Sequence, residues 1–178
     1  FDLIDALTVA GQVSSPVALS EQQPFRRKFS GVYDGLENGE IDTGELLSLL
    51  PACMPKESET IAGYEVYAVD ATANEHEQAE TLPDRGALKS GKDEPTRYGH
   101  KYSWLVRLVN FGTSWVAPVD IERIETKTTD TKVAAAQVQA LDEHDPQAKV
   151  IVADSRYEDR LFLGIFECFK RTFALIRL

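Results

Sequence analysis

Apolar residues recur at helical spacing over the first fifty positions and at strand spacing afterwards. Phe1 to Ala10 carries its apolar residues on one face. Phe25, Phe29, Val32, Tyr33 and Leu36 then keep helical spacing, and Thr43 to Leu50 forms a third short segment. Pro51 to Thr60, with two prolines among charged and small residues, reads as a connector. Residues 1–60 are thus expected to form a small helical subdomain with its linker, and residues 61–178 a separate core.

The core pattern begins with Tyr64 to Asp70, a short run rich in β-formers, followed by Tyr102 to Asn110 and Ser114 to Ile124. Phe111-Gly112-Thr113 fits a tight turn, so the second and third runs are expected to form an antiparallel hairpin. Pro118 favours an edge position for the third, where a missing amide hydrogen costs no ladder bond. Trp104 and Trp115 read as hairpin or core packing. Thr131 to His144 turns helical, with Val133, Ala136, Val138 and Leu141 on one face. Lys149 to Asp154 is a fourth strand, Glu158 to Lys170 a second helix and Thr172 to Leu178 a fifth strand. The order β-β-β-α-β-α-β predicts an α/β fold, a mixed sheet with helices on its faces. Between the first two strands lies a polar interval, Ala71 to Lys101, long enough to suggest a functional loop.

The chain has 178 residues, 43% of them hydrophobic, which suits one well-buried domain with an appendage. No run approaches a membrane span. The acidic start, Phe-Asp-Leu-Ile-Asp, is unlike a secretory signal, so an intracellular protein is expected. Cys53 and Cys168 have no metal-binding spacing and read as ordinary thiols. Phe1 in place of a methionine, and an end at Leu178 inside an apolar run, read as a piece of a longer protein.

A net charge of −10 opposes a free-standing nucleic-acid binder, since phosphate affinity comes mainly from Lys and Arg. The interval from Asp84 to Arg107 is an exception. It holds Arg85, Lys89, Lys92, Arg97, Lys101 and Arg107 against Asp84, Asp93 and Glu94. This basic patch fits a phosphate-contacting surface and a solvated loop equally well.

The chemistry is carried by two acids, Asp70 and Asp154, each closing an apolar strand. In an open α/β sheet, ligands gather outside the carboxyl ends of the strands. Two carboxylates there repel unless a proton or cation neutralises them, so a divalent ion is the expected partner if the strands are parallel neighbours. Each acid has a simpler alternative: a strand-end aspartate also caps turns, and Asp154 precedes a helix near Tyr157. His100 reads as a hydrogen-bonded structural histidine rather than a ligand. A haloacid-dehalogenase-type phosphatase would need a second acid where Thr72 stands, and the early hairpin contradicts a receiver domain.

The segments Tyr67-Ala68-Val69-Asp70-Ala71-Thr72, Leu82-Pro83-Asp84-Arg85-Gly86, Tyr98-Gly99-His100-Lys101-Tyr102-Ser103-Trp104, Ser114-Trp115-Val116-Ala117-Pro118-Val119-Asp120 and Val152-Ala153-Asp154-Ser155-Arg156-Tyr157 follow one another along the chain. Together they resemble the motifs of the DDE superfamily endonucleases of bacterial insertion-sequence transposases. Phe25-Arg26-Arg27-Lys28-Phe29 with Val32-Tyr33-Asp34 is similar to the helical region before that core. The resemblance implies a ribonuclease-H-like core and metal-dependent cleavage and transfer of DNA at transposon ends. It also implies Mg²⁺ or Mn²⁺ held by Asp70 and Asp154, DNA contacts from Arg85, Lys89, Lys92, Arg97 and Lys101, and a homo-oligomeric full-length protein acting in the bacterial cytoplasm at the nucleoid. The family's third acid has no counterpart here. It is expected on a helix beyond Leu178, which leaves this chain with a truncated core and little activity alone. The alternative is a non-catalytic transposase remnant that acts only in DNA binding or assembly.

Overall fold

Helices form over the first fifty residues as the spacing predicts, but their boundaries are set by caps and tertiary contacts. The computed structural model describes residues 2–13, 15–55, 58–88, 95–112 and 116–177. The chain divides into two units, Phe1–Leu46 and Leu47–Leu178. The helices are α1 (Asp2–Val9), α2 (Pro16–Ser20), α3 (Ser30–Asn38) and α4 (Thr43–Cys53). The short α2 lies outside the expected pattern. Ser15 caps it by accepting from the Ala18 amide at 3.1 Å, and Pro16 stands at the first helical position, where its missing N–H costs nothing. Phe25, expected inside a helix, precedes α3 in a turn closed by its amide on the Gln22 carbonyl. It is buried with Ala6, Leu19 and Val32 in the first unit's core, whereas Phe29, Tyr33 and Leu36 are exposed. The helical spacing of these residues was therefore shared between a turn and a helix. The helix expected to stop at Leu50 runs through Pro51 to Cys53, a proline in the last turn removing one backbone bond without ending it.

The second unit holds a six-stranded mixed sheet: β1 (Glu65–Glu75), β2 (Gly86–Leu88), β3 (Arg97–Leu108), β4 (Val116–Ile124), β5 (Lys149–Ala153) and β6 (Thr172–Ile176). The strands run β2-β3-β1-β5-β6, with β4 also paired to β3. The β3 contacts to β1, β2 and β4 are antiparallel, and β1, β5 and β6 are mutually parallel. Helix α5 (Asp130–His144) links β4 to β5, and α6 (Arg160–Ile165) links β5 to β6. Apart from the small β2, this is the predicted order, an α/β arrangement compatible with a ribonuclease-H-like core.

Two strand boundaries differ from expectation. β1 does not end at Asp70. It continues to Glu75 because β3 pairs with it as far as Glu75↔Gly99, while its parallel partner β5 stops at Ala153. Main-chain bonding thus carries a strand through the polar Ala71 to Glu75 without help from an apolar pattern. Gly99 permits the closeness, since a Cβ there would meet the Asn74 carbonyl oxygen at 2.0 Å. The polar interval is accordingly a loop only in part: β1 runs into it as far as Glu75, turns fill 76–85, β2 forms after them, and β3 begins at Arg97. Lys89 and Lys92 lie outside the described residues, as do Thr113 of the proposed turn and Trp115. Pro118 sits on an edge strand as expected, beside a bulge. The register passes from Leu105↔Asp120 to Val106↔Pro118, leaving Val119 unpaired and packed against the core.

The core lies between one sheet face and the two helices. Tyr67, Val69, Leu105, Ile151 and Ala153 meet Ala134, Ala135 and Val138 of α5 and Phe162 of α6. A buried polar pair locks α5 to β3: the Ser103 hydroxyl donates to Gln137 Oε1 at 2.7 Å, and Gln137 Nε2 donates to the Ser103 carbonyl at 3.3 Å. α6 ends earlier than predicted, at Ile165. The chain goes on in three-residue turns, Phe166 to Leu163, Glu167 to Gly164, Cys168 to Ile165 and Phe169 to Phe166, which stack Phe162, Phe166 and Phe169 edge to face.

Asp159 starts α6, accepting from the Leu161 and Phe162 amides at 2.6 and 3.0 Å. Those backbone bonds, led by Phe162, with Thr131 assisting, hold its carboxyl below the usual aspartate range. Asp159→Ala should therefore lower stability by about 1 kcal/mol at pH 7. A carboxylate with a depressed folded-state pKa stabilises above its unfolded value and stops doing so as pH falls through the folded one. Urea melts of the two proteins should thus differ at pH 7 and converge below about pH 4.

Candidate functional site

Parallel pairing of β1 with β5 brings the two predicted acids together. The ladder matches Glu65 with Lys149 and Ala68 with Val152, and two further residues along each chain bring Asp70 level with Asp154. Asp70 lies within β1, yet it stands at the carboxyl end of β5, which satisfies the strand-end logic through the neighbour. Past Ala68, β1 keeps β3 on one edge and has no strand on the other among the described residues.

Local backbone geometry fixes each carboxylate. Asp70 Oδ1 accepts from the Ala71 amide at 2.8 Å. Asp154 caps a 3-10 turn, Ser155–Tyr157, its Oδ1 accepting from the Arg156 amide at 3.0 Å, so the capping role open to this residue is real. The same turn folds Arg156 back over its cap. Arg156 Nε donates to Asp154 Oδ2 at 2.9 Å, and Nη2 reaches Asp70 Oδ1 at 3.4 Å. One guanidinium thus bridges both acids, and the hydrogen bond with Asp154, followed by the two carboxylate charges, raises its pKa. The group is open to water: the side chains of Arg156, Asp70 and Asp154 are 58%, 63% and 40% exposed.

Beneath it, Tyr157 is buried in the core, and its hydroxyl has no hydrogen-bond partner among the described residues. Burial first, then the charges of Asp70, Asp130 and Asp154, push the phenol far above its ordinary value. Asp130, in the first turn of α5, pairs with Lys101. Sequence reasoning assigned no role to Arg156 or Asp130. A partial signal for Arg156 existed: an aspartate that closes a strand tends to accept the amide two residues on, which puts residue 156 beside the Asp154 carboxylate.

The basic patch is dispersed along the β1–β3 arm. Arg97 pairs with Glu75 at 2.5 Å, and Glu75 is five residues, roughly 17 Å, beyond Asp70. Lys101 faces Ala73 across the ladder. Arg85 donates to the Glu77 carbonyl at 2.8 Å and lies over the Tyr98 ring at 4.9 Å. Asp84 holds Arg123 at 2.6 Å and also accepts from Thr126; these bonds, Thr126 first, keep its carboxyl below the usual range. His100 is buried with Nε2 2.9 Å from the Pro83 carbonyl, a structural role.

The donor set can be tested for a metal. Two water-accessible carboxylates on one spot supply hard oxygen ligands, and Mg²⁺ commonly takes one or two of these while keeping several waters. Among the described residues no group of three His, Cys, Asp or Glu side chains gathers with metal-binding geometry. Among the described residues the spot thus gathers two carboxylates, Asp70 and Asp154, and no third acid.

No protein-family model and no characterised protein sequence matches the chain. Two solved structures have chains of distant likeness. One comes from the simian T-cell lymphotropic virus intasome in complex with PP2A regulatory subunit B56 gamma, at 13% identity over 81% of this chain and 46% of that one, with a TM-score of 0.37. The other comes from the Drosophila P element transposase strand transfer complex, at 15% identity over 98% of this chain and 44% of that one, with a TM-score of 0.31. This chain spans less than half the length of either. No helix among the described residues is long and apolar enough to cross a membrane.

Proposed function

We propose that the second unit is a DDE-type transposase core, built for metal-dependent cleavage and transfer of DNA strands. One observation carries the reading: the register of β1 with β5 brings Asp70 and Asp154 to one place, close enough for a single side chain to bond both. Asp70 and Asp154 would hold Mg²⁺ or Mn²⁺. When bound, such ions activate a water or a 3′-hydroxyl and stabilise the leaving oxygen in phosphoryl transfer. The chain's own contribution is placement: the β-ladder fixes Asp70 and the capped turn fixes Asp154. The cationic side chains of the β1–β3 arm, Arg85, Arg97 and Lys101, with Lys89 and Lys92, would follow the DNA backbone. In the full-length protein the core would act as a homo-oligomer on transposon ends.

The absence of a third ligand among the described residues favours a second reading, a remnant that binds DNA or assembles without catalysis. A manganese titration separates the two. The chain should bind Mn²⁺ weakly, and Asp70→Asn or Asp154→Asn should each weaken binding at least about tenfold, the scale on which altered metal surroundings act. Binding indifferent to both substitutions would remove the metal site and leave the remnant. Strong nuclease activity surviving both would contradict the residue assignment outright.

A further inference from the structure

Arg156 stands where the proposed function would place a cation. Two carboxylates side by side repel, and a positive charge between them offsets that repulsion. Arg156 supplies it through bonds of 2.9 Å to Asp154 and 3.4 Å to Asp70, using different nitrogens of one planar fork. No other cation is paired with Asp70 or Asp154 among the described residues. The bridging geometry follows from the turn: the Asp154 carboxylate accepts the Arg156 amide through Oδ1, leaving Oδ2 for the guanidinium. Arg156 is more than half exposed, which gives its guanidinium open solvent to turn into.

We infer that Arg156 is a built-in counter-ion of the acid pair, a positioning residue that preassembles Asp70 and Asp154 and gives way when a divalent ion enters. The inference rests on the metal-site reading above. Metal entry is then an exchange: two charge-assisted hydrogen bonds are lost as the carboxylate oxygens turn to the ion, and the guanidinium moves to solvent or to an anionic group such as a phosphodiester. The side chain accordingly opposes metal binding until the substrate's charge offers it another partner.

The test is Mn²⁺ binding by the full chain in the absence of DNA, read from the electron paramagnetic resonance signal of free Mn²⁺. The variants are Arg156→Gln, Arg156→Lys, Asp70→Asn and the Arg156→Gln/Asp70→Asn double substitution. Exposed ion pairs have modest strength, so Arg156→Gln should tighten binding about threefold to tenfold, with Arg156→Lys in between. In the double variant that gain should vanish, because Asp70 is one of the two groups competed for. Binding that depends on Asp70 but is unchanged or weakened by Arg156→Gln overturns the counter-ion role and leaves the metal site standing. Failure of every protein to bind, or binding indifferent to Asp70→Asn, overturns the metal site itself and the counter-ion role with it. Thermal melts of each variant confirm folding, which an exposed side chain should not disturb.

Discussion

Phe162→Ala should destabilise the protein by about 3–5 kcal/mol, the range for removing a buried aromatic ring from a packed core. Phe162 is fully buried, with its ring 5.3 Å from that of Tyr157 and 5.4 Å from that of Phe166. Truncation forfeits the transfer energy of the ring and leaves a void between α6 and the sheet that neighbours fill only in part. Domains of this kind have total stabilities of about 5–15 kcal/mol, so the variant should sit near the limit of folding. Urea denaturation should show a much lower midpoint with little change in slope. Phe162→Leu, which keeps most of the volume, should lose far less. A loss below about 1 kcal/mol for the alanine variant would mean that α6 is not docked as described.

The consequence reaches the candidate site through the chain itself. Tyr157 packs on Phe162 and ends the turn that Asp154 begins, so the ring cluster holds the position of Asp154 and Arg156 from below. Asp70 is held by a different means, the ladder of β1. The two acids thus come together only when the sheet and the α6 packing are both in place.

Much of this was legible in the residues. The apolar, β-prone runs Lys149 to Asp154 and Tyr64 to Asp70 located β5 and the start of β1, and an acid ending each run pointed to a juxtaposition that held on condition of parallel pairing, which the register meets. The hairpin and its edge proline were likewise visible. What escaped has identifiable causes. The extension of β1 to Glu75 rests on main-chain pairing with β3 and on the missing side chain of Gly99, neither of which leaves an apolar pattern. The basic residues were visible as charges but not as pairs, because Arg97 meets Glu75 and Lys101 meets Asp130 across elements far apart in sequence. The α2 cap was written plainly in Ser15-Pro16 and needed only the capping rule.

A second large effect is expected at the other end of the sheet, where β5 begins on a lysine with no solvent exposure. Lys149 Nζ donates to the Asp145 carbonyl at 2.5 Å and lies 3.7 Å from its carboxylate. The same carboxylate accepts from the Tyr67 hydroxyl at 3.2 Å. The single hydroxyl proton of Tyr67 is shared between that carboxylate and Glu65, whose Oε2 lies closer at 2.8 Å, and Glu65 pairs with Arg107. Burial, then Glu65 and Asp145, push the Tyr67 phenol far above its ordinary range, so it remains a donor throughout. Removing one member of a buried charge pair leaves the other uncompensated, so Asp145→Ala should cost about 3 kcal/mol. Lys149→Met should behave differently. It removes the buried charge while keeping an apolar stem of similar length, and Asp145, about a quarter exposed, retains Tyr67 and water as partners. Buried ion pairs replaced by packed apolar groups are often neutral or stabilising, and the methionine variant should unfold within about 1 kcal/mol of the parent. Combining the two substitutions should recover most of the loss caused by Asp145→Ala. Equal and additive losses from the two single variants, measured by urea denaturation, would show instead that the lysine is a net contributor and that the pair is not coupled.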